Sequence, residues 1–370
     1  MYVYICLSRF YVVILQNDNG YGLTVKVMVK VKMFLVLALL AFVVACRCST
    51  MVADFYTLEV YPWVSGVLSA ISSVVPFALQ DIIILVLVIW GIGMIIQAVK
   101  QKSGVWRCAK RVGMLLLCTF LWFYMGWCCN YGRSSIFVRT DSQKVEYDSV
   151  IFRTFIYNYS DAINAAWTDA VVEDSVVLED EVKKLYSRAP EMYGLAKPRS
   201  WQHPKPMMLR RFFSAVGVAG YMAPLLSESC VNGDVLPFDY PSVYAHEYAH
   251  VLGVSSEAEA NWWAYHVCVS SREPAVVYSG YKGLFNHVAR NASTFLQEEE
   301  YKKWIASIRP EVIKDLELTR EHWSALRNEP IDNMQSFIYD AFLKSNNIAS
   351  GLKNYSEVVQ LLMALDSPWK

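Results

Sequence analysis

The chain has no Cys-x-x-Cys pair among its nine cysteines and only six histidines in 370 residues. The first absence argues against a thiolate zinc site. The second makes any histidine pair at ligand spacing conspicuous. Neither sign of charge is in excess, Lys plus Arg and Asp plus Glu being 34 each, so nothing points to a nucleic-acid partner. Charge is scarce altogether at 18%, whereas 55% of residues are hydrophobic, too apolar for an ordinary soluble enzyme of this length. A membrane part is expected. No repeat or low-complexity tract organises the chain. Most cysteines lie in or near apolar segments, which leaves Cys230 and Cys268 as a disulfide of an extracytoplasmic domain or, preferably, as small buried thiols.

The apolar residues are concentrated before residue 130. Residues 1–32 form an N-terminal extension with a turn-like Asn17-Asp18-Asn19-Gly20, and Met28 or Met33 is a candidate start. From Met33 the chain is continuously apolar to Cys46, preceded by Lys26, Lys30 and Lys32. It reads as a first membrane helix over about 33–52, or as a signal-peptide core ending in the lipoprotein-like Val43-Val44-Ala45-Cys46. Residues 54–76 are apolar but interrupted by Asp54, Glu59, Pro62 and Gly66, with Tyr56, Tyr61 and Trp63 interspersed, and suit an interfacial hairpin or amphipathic segment. Spans follow at about 80–99 and 112–129, each of crossing length. Lys100, Lys102, Arg107, Lys110 and Arg111 lie between them with no acid, which marks a cytoplasmic loop. Everything after Asn130 is then outside. The chain divides into a membrane anchor, 33–130, and a globular region, 131–370.

The chemistry-bearing stretch is Ala245–Tyr265. His246, Glu247 and His250 form H-E-x-x-H, which on a helix sets two imidazoles one turn apart on one face with a carboxylate beside them. That arrangement suits Zn2+ held by two imidazoles and a carboxylate, with Glu247 as general base and then acid. Pro241 with Ser242 suits the first turn of this helix, and Gly253 its end. Ser255 and Ser256 can cap a second helix that opens with Glu257 and Glu259, both candidate third ligands. Asn261, four residues after Glu257, shares its face and can orient a ligand, which favours Glu257. Glu259 has a competing use, since Ser256-x-x-Glu259 is a capping box.

His246-Glu247-Tyr248-Ala249-His250 with Ser256-Glu257-Ala258-Glu259-Ala260-Asn261 resembles an uncharacterised bacterial family of membrane-anchored, zincin-like proteins. The likeness extends to Pro76-Phe77, Gly220-Tyr221-x-Ala223-Pro224, Glu228, Asn232 and Gly351-x-x-x-Tyr355-Ser356. It implies a gluzincin-type metallopeptidase with Glu257 as third ligand but supplies no substrate; the membrane spans suggest contact with lipid and protein or peptide substrates of the bacterial envelope, and the basic loop sets the domain on the extracytoplasmic side of the inner membrane. It also implies an α+β fold, membrane helices followed by a mainly helical domain with a small sheet. Tyr281, within Tyr278-Ser279-Gly280-Tyr281, matches a family tyrosine that can stabilise an oxyanion or simply pack. Glu228 and Asn232 also suit a capping acid and a turn residue.

Helical patterns at Tyr147–Ala170 and Val176–Arg188 suggest a cap over the site, and Phe212–Tyr221 and Ser229–Leu236 suggest strands. The second of these, just before the motif, is the expected substrate-binding strand. A non-catalytic zinc protein is the competing reading, and Glu259 or His266 completing a fourth ligand position would favour it.

Overall fold

The computed structural model describes residues 21–100, 105–144, 149–172, 175–330, 355–365 and 367–369, with isolated positions between 333 and 346. Most of the N-terminal extension, residues 1–20, and Gly351 lie outside the described residues. Internal contacts divide the chain into Met1–Ala45 and Cys46–Lys370. The first unit contains most of helix α1, Tyr21–Cys48. The second takes in everything else, including two further apolar helices.

Among the described residues three helices are long and apolar enough to cross a membrane, over Lys30–Cys48 of α1, all of α2 (Leu79–Lys100) and Trp106–Gly126 of α3 (Val105–Gly126). Helix α1 stops short of the expected residue 52. Ser49 takes an extended conformation there, and its hydroxyl accepts the Val52 N–H as the N-cap of the next helix. Helix α3 begins before the expected residue 112, with Arg107, Lys110 and Arg111 in its first turns. Long basic stems can lie along a helix while their charges stay in water. Residues 50–72 are helical, Thr50–Phe55 passing through a π turn at Tyr56–Val60 into Tyr61–Ser72, so of the two expected forms the chain takes the amphipathic one. Tyr56, Thr57, Tyr61, Ser65, Ser69 and Ser72 are buried.

The first turn of α2 is built into the globular part. The Glu228 carboxylate accepts the N–H groups of Leu79 and Gln80 at 3.1 and 3.0 Å, and Lys205 pairs with it at 2.8 Å. Gln80 accepts the Leu225 N–H at 2.7 Å, and Asp81 accepts the Met208 N–H at 2.9 Å and the Tyr221 hydroxyl. Orphan donors and positive dipole at a helix start favour such carboxylates. Glu228 is therefore the capping acid of α2. Asn232 is a turn residue, accepting the Asp234 N–H at 3.0 Å and donating to the Val218 carbonyl at 2.9 Å.

Among the described residues the sheet has three short strands, β1 (Lys205–Pro206), β2 (Gly220–Ala223) and β3 (Glu228–Val231), in the order β1-β3-β2. Cys230 is level with Lys205 in the parallel pair and with Tyr221 in the antiparallel one. The expected substrate strand is thus misplaced, because β3 is central and both its edges are paired. The outer edges belong to β1 and β2, and of these β2 lines the cavity at the motif. Of Phe212–Tyr221 only the end is strand, since Arg210–Ala215 is helical and Gly217, at φ +67°, turns the chain after it.

Further helices among the described residues include α4 (Ser149–Ala166), α5 (Ser175–Ser187), α6 (Tyr240–Val251), α7 (Glu257–Val269), α8 (Pro274–Phe295), Glu298–Ala306, α9 (Pro310–Leu326) and α10 (Tyr355–Ala364). Helix α7 packs on α6, α8 and α10. Its Trp262 and Trp263 are fully buried against Tyr193 and Tyr186. Each ring removes roughly 200 Å² from water, an upper contribution on the order of 5 kcal/mol. The expected cap is a buttress instead: α4 packs on α8 and α5 on α7, and neither lines the cavity at the motif. Cys230 and Cys268 are free, buried thiols.

Candidate metal centre

Helix α6 carries Pro241 in its first turn, where its fixed φ suits a helix start. The helix is stopped by Gly253, at φ +99°, with the Val254 N–H bonded to the Ala249 carbonyl at 3.1 Å. That turn brings the Val254 carbonyl to 2.7 Å from Nδ1 of His250. Ser256 then caps α7 by accepting the Glu259 N–H at 3.3 Å, which makes Glu257 its first residue. Asn261, one turn further, sets Oδ1 3.0 Å from Nδ1 of His246.

Both Nδ1 atoms therefore face oxygen acceptors and carry the ring protons, which leaves the Nε2 lone pairs pointing inward. The two Nε2 atoms are 3.1 Å apart, and Oε2 of Glu257 lies 3.2 Å from that of His246 and 3.7 Å from that of His250. Three electron-pair donors converge within 4.8 Å of one another. Such a cluster repels itself unless a cation or protons lie inside it. Burial works against charge on His250, but the Glu257 carboxylate outweighs it and pushes the imidazole up to about 9. Burial opposes charge on Glu257 too, yet His250 and His246 hold its carboxyl well below the ordinary range. Two imidazole nitrogens and one carboxylate oxygen form a donor set that fits Zn2+.

Glu247 is buried beside these residues and lines the same cavity. Its side chain occupies the space a Cβ on Gly220 would need, 2.6 Å from that position, and the nearby Met222 backbone of β2 favours its charge. Burial raises its pKa above the ordinary carboxylate value, partly offset by His246 and His250. Glu259 points elsewhere. It pairs with Arg139 at 2.5 Å in a buried contact, so the capping box forms only through the Ser256 hydroxyl. Burial disfavours the Glu259 charge, but Arg139 and Arg133 hold its pKa low. Arg133 also donates to the Gly253 carbonyl at 3.1 Å, tying this cation pair to the turn between α6 and α7. His266 packs against the Trp262 ring, 4.4 Å between centroids, away from the cluster.

Tyr281 is not among the described residues that line the cavity. Its ring packs with those of Tyr159 and Tyr265, and its carbonyl accepts the Tyr159 hydroxyl at 2.5 Å. Tyr265 lines the cavity instead, two turns beyond Glu257 on the face shared with Asn261. The i, i+4, i+8 spacing is the signal that could have found it. His287 of α8 is also close; burial pushes it down to about 4, with His246 and Arg290 adding to the effect. No periodicity marked it in the sequence.

The cavity has a volume of about 1340 Å³. His246, His250, Glu257 and Tyr265 line it together with Val218–Met222 and with Gln80, Phe123, Trp127 and Tyr131, so the first turn of α2 and the last of α3 reach it. Residues 56–363 match the family described as a protein of unknown function (DUF3810), and the chain belongs to that family. No curated protein and no solved structure matches it.

Proposed function

We propose that this family member is a membrane-anchored zinc peptidase whose site faces the extracytoplasmic side of a bacterial inner membrane and hydrolyses proteins or peptides there. The observation that carries the reading is the orientation of the two imidazoles. Asn261 and Val254 fix their Nδ1 protons, and both Nε2 atoms meet the Glu257 carboxylate at the wall of a large open cavity.

His246, His250 and Glu257 are the proposed ligands. Zinc held there would polarise a carbonyl and make water a nucleophile at neutral pH. The Glu247 carboxylate takes the proton from the attacking water and delivers it to the leaving nitrogen. Its raised pKa, caused by burial, suits both halves of that transfer. An extended chain lies along the outer edge of β2, where Gly220 keeps the backbone close to Glu247. Tyr265 is better placed than Tyr281 to donate to a developing oxyanion. A non-catalytic role would be favoured by a fourth protein ligand, but Glu259 is paired with Arg139 and His266 packs on Trp262. The five basic residues at 100–111 support the orientation.

The test uses the full chain in nanodiscs, wild type and Glu247→Gln, with zinc content measured by mass spectrometry and cleavage of a quenched-fluorescent peptide library as readout. One zinc per chain in both, and cleavage in the wild type alone, is expected. A wild type that binds no zinc at micromolar concentration, or a Glu247→Gln protein as active as wild type, refutes the reading.

A further inference from the structure

We propose that the rim of the cavity lies on lipid, so that the metal site opens at the depth of the membrane headgroups. Two apolar surfaces carry this. The first is the outer face of residues 50–74, where Met51, Phe55, Leu58, Trp63, Val67, Ile71 and Val74 are all exposed at spacings of three to five residues. Its exposed residues include one charge, Glu59.

Both ends of this helical stretch are held at the level where the apolar helices end. The Tyr56 hydroxyl donates to the Met125 carbonyl in the last turn of α3, at 2.7 Å. Ser72 accepts from Lys205, which pairs with the Glu228 that caps α2. A rod tied at both ends to that level lies along the membrane surface. Its inner face is buried against the domain, so its apolar outer face is turned to the bilayer. At headgroup depth Glu59 remains hydrated, whereas in the acyl region it would be costly.

The second surface is at the cavity itself. Met208, Leu209 and Phe212 are exposed at the start of the short helix Arg210–Ala215, which the Met208 N–H to Asp81 bond holds to the first turn of α2. Arg211 between them is exposed, as is Arg210, which also lies 3.6 Å from Asp234, and basic residues beside apolar ones suit anionic headgroups. Phe213, next in the chain, lines the cavity and packs on Tyr221 with 5.0 Å between ring centroids. Lipid-facing residues and cavity wall are thus neighbours in one segment. On the peptidase reading, which this last step rests on, a mouth at that depth favours chain segments adjoining a membrane anchor.

The test reads depth and needs no activity, so it separates this inference from the peptidase reading. A coumarin amino acid replaces Val67, Phe212 or, as control, Lys302 in the full chain, placed in nanodiscs of phosphatidylcholine and phosphatidylglycerol. Acyl-brominated lipid should quench the probes at 67 and 212 and spare that at 302, with aqueous iodide giving the reverse order. Quenching at 67 and 212 by iodide alone would overturn the proposal, because the face then stays in water. Protection from both quenchers would also overturn it, because a second copy or another protein then covers the face.

Discussion

The indole N–H of Trp127 donates to the main-chain carbonyl of His250 at 2.8 Å, and the two rings stand edge to face with centroids 5.9 Å apart. Trp127 is the residue after α3, so the end of an apolar helix is bonded to the residue proposed as second zinc ligand. Trp127→Phe keeps most of the packing and removes the donor, which costs about 1 kcal/mol. The expected result is a lower melting temperature with zinc stoichiometry retained, checked by thermal unfolding and metal content on the same sample.

Glu257 and Glu259 separate cleanly by substitution. Glu257→Ala removes a proposed ligand and should weaken zinc binding by at least about 100-fold, beyond the 10–100-fold typical of outer-shell changes. Glu259→Ala leaves Arg139 and Arg133 buried without their carboxylate, at a cost of about 3–5 kcal/mol in stability. Zinc per folded chain should stay unchanged. Chelator competition and denaturant unfolding measure the two quantities, and a folded but zinc-free Glu259→Ala protein would reverse the assignment.

Asn261 orients His246 through Nδ1. Asn261→Ala should lower zinc affinity by about 10–100-fold. Asn261→Asp keeps an oxygen acceptor at the same place and should restore most of it. Competition with a fluorescent zinc chelator compares the three proteins, and equal affinities would remove Asn261 from the site.

Gly220→Ala puts a methyl group 2.6 Å from where Cγ and Oε1 of Glu247 now lie. The neighbour on that side is the proposed general base, so it must move. Zinc should remain bound, and turnover should fall at least about tenfold with the proton-transfer geometry. Steady-state kinetics beside metal analysis checks this; unchanged kcat would mean that Glu247 tolerates displacement and has no positional role.

Removing the metal should destabilise the chain, because three donors are left facing one another. A ligand at about 1,000 times its Kd stabilises the folded state by about 4 kcal/mol. Dialysis against a chelator should therefore lower the melting temperature, and stoichiometric zinc should restore it in wild type but not in Glu257→Ala.

Local rules made parts of this legible. Pro241, Gly253 and Ser256 mark the start of one helix, its end and the cap of the next, and the fold follows those marks. The choice between Glu257 and Glu259 was less open to local rules, since both head the same helix. It turns on Arg139, 120 residues away, which takes Glu259. The expected strand at Ser229–Leu236 failed for a related reason. Local pattern identifies a strand but not its neighbours, and β1 and β2 cover both edges of β3. Tyr281 was drawn from likeness of motif, whereas its position is decided by packing with Tyr159 and Tyr265.

By itself the sequence determined the apolar helices, the spacing of His246 and His250, and the helix stop that follows, because hydropathy, helical period and backbone preference act over a few residues. Only the tertiary structure decided which acid meets the histidines, which edge strand lines the cavity and which side of the site the apolar helices reach. Those outcomes depend on burial and charge pairing between segments far apart in the chain, as when Glu228 caps α2 from 149 residues away. Such pairings are set only when the whole chain competes for the same buried space.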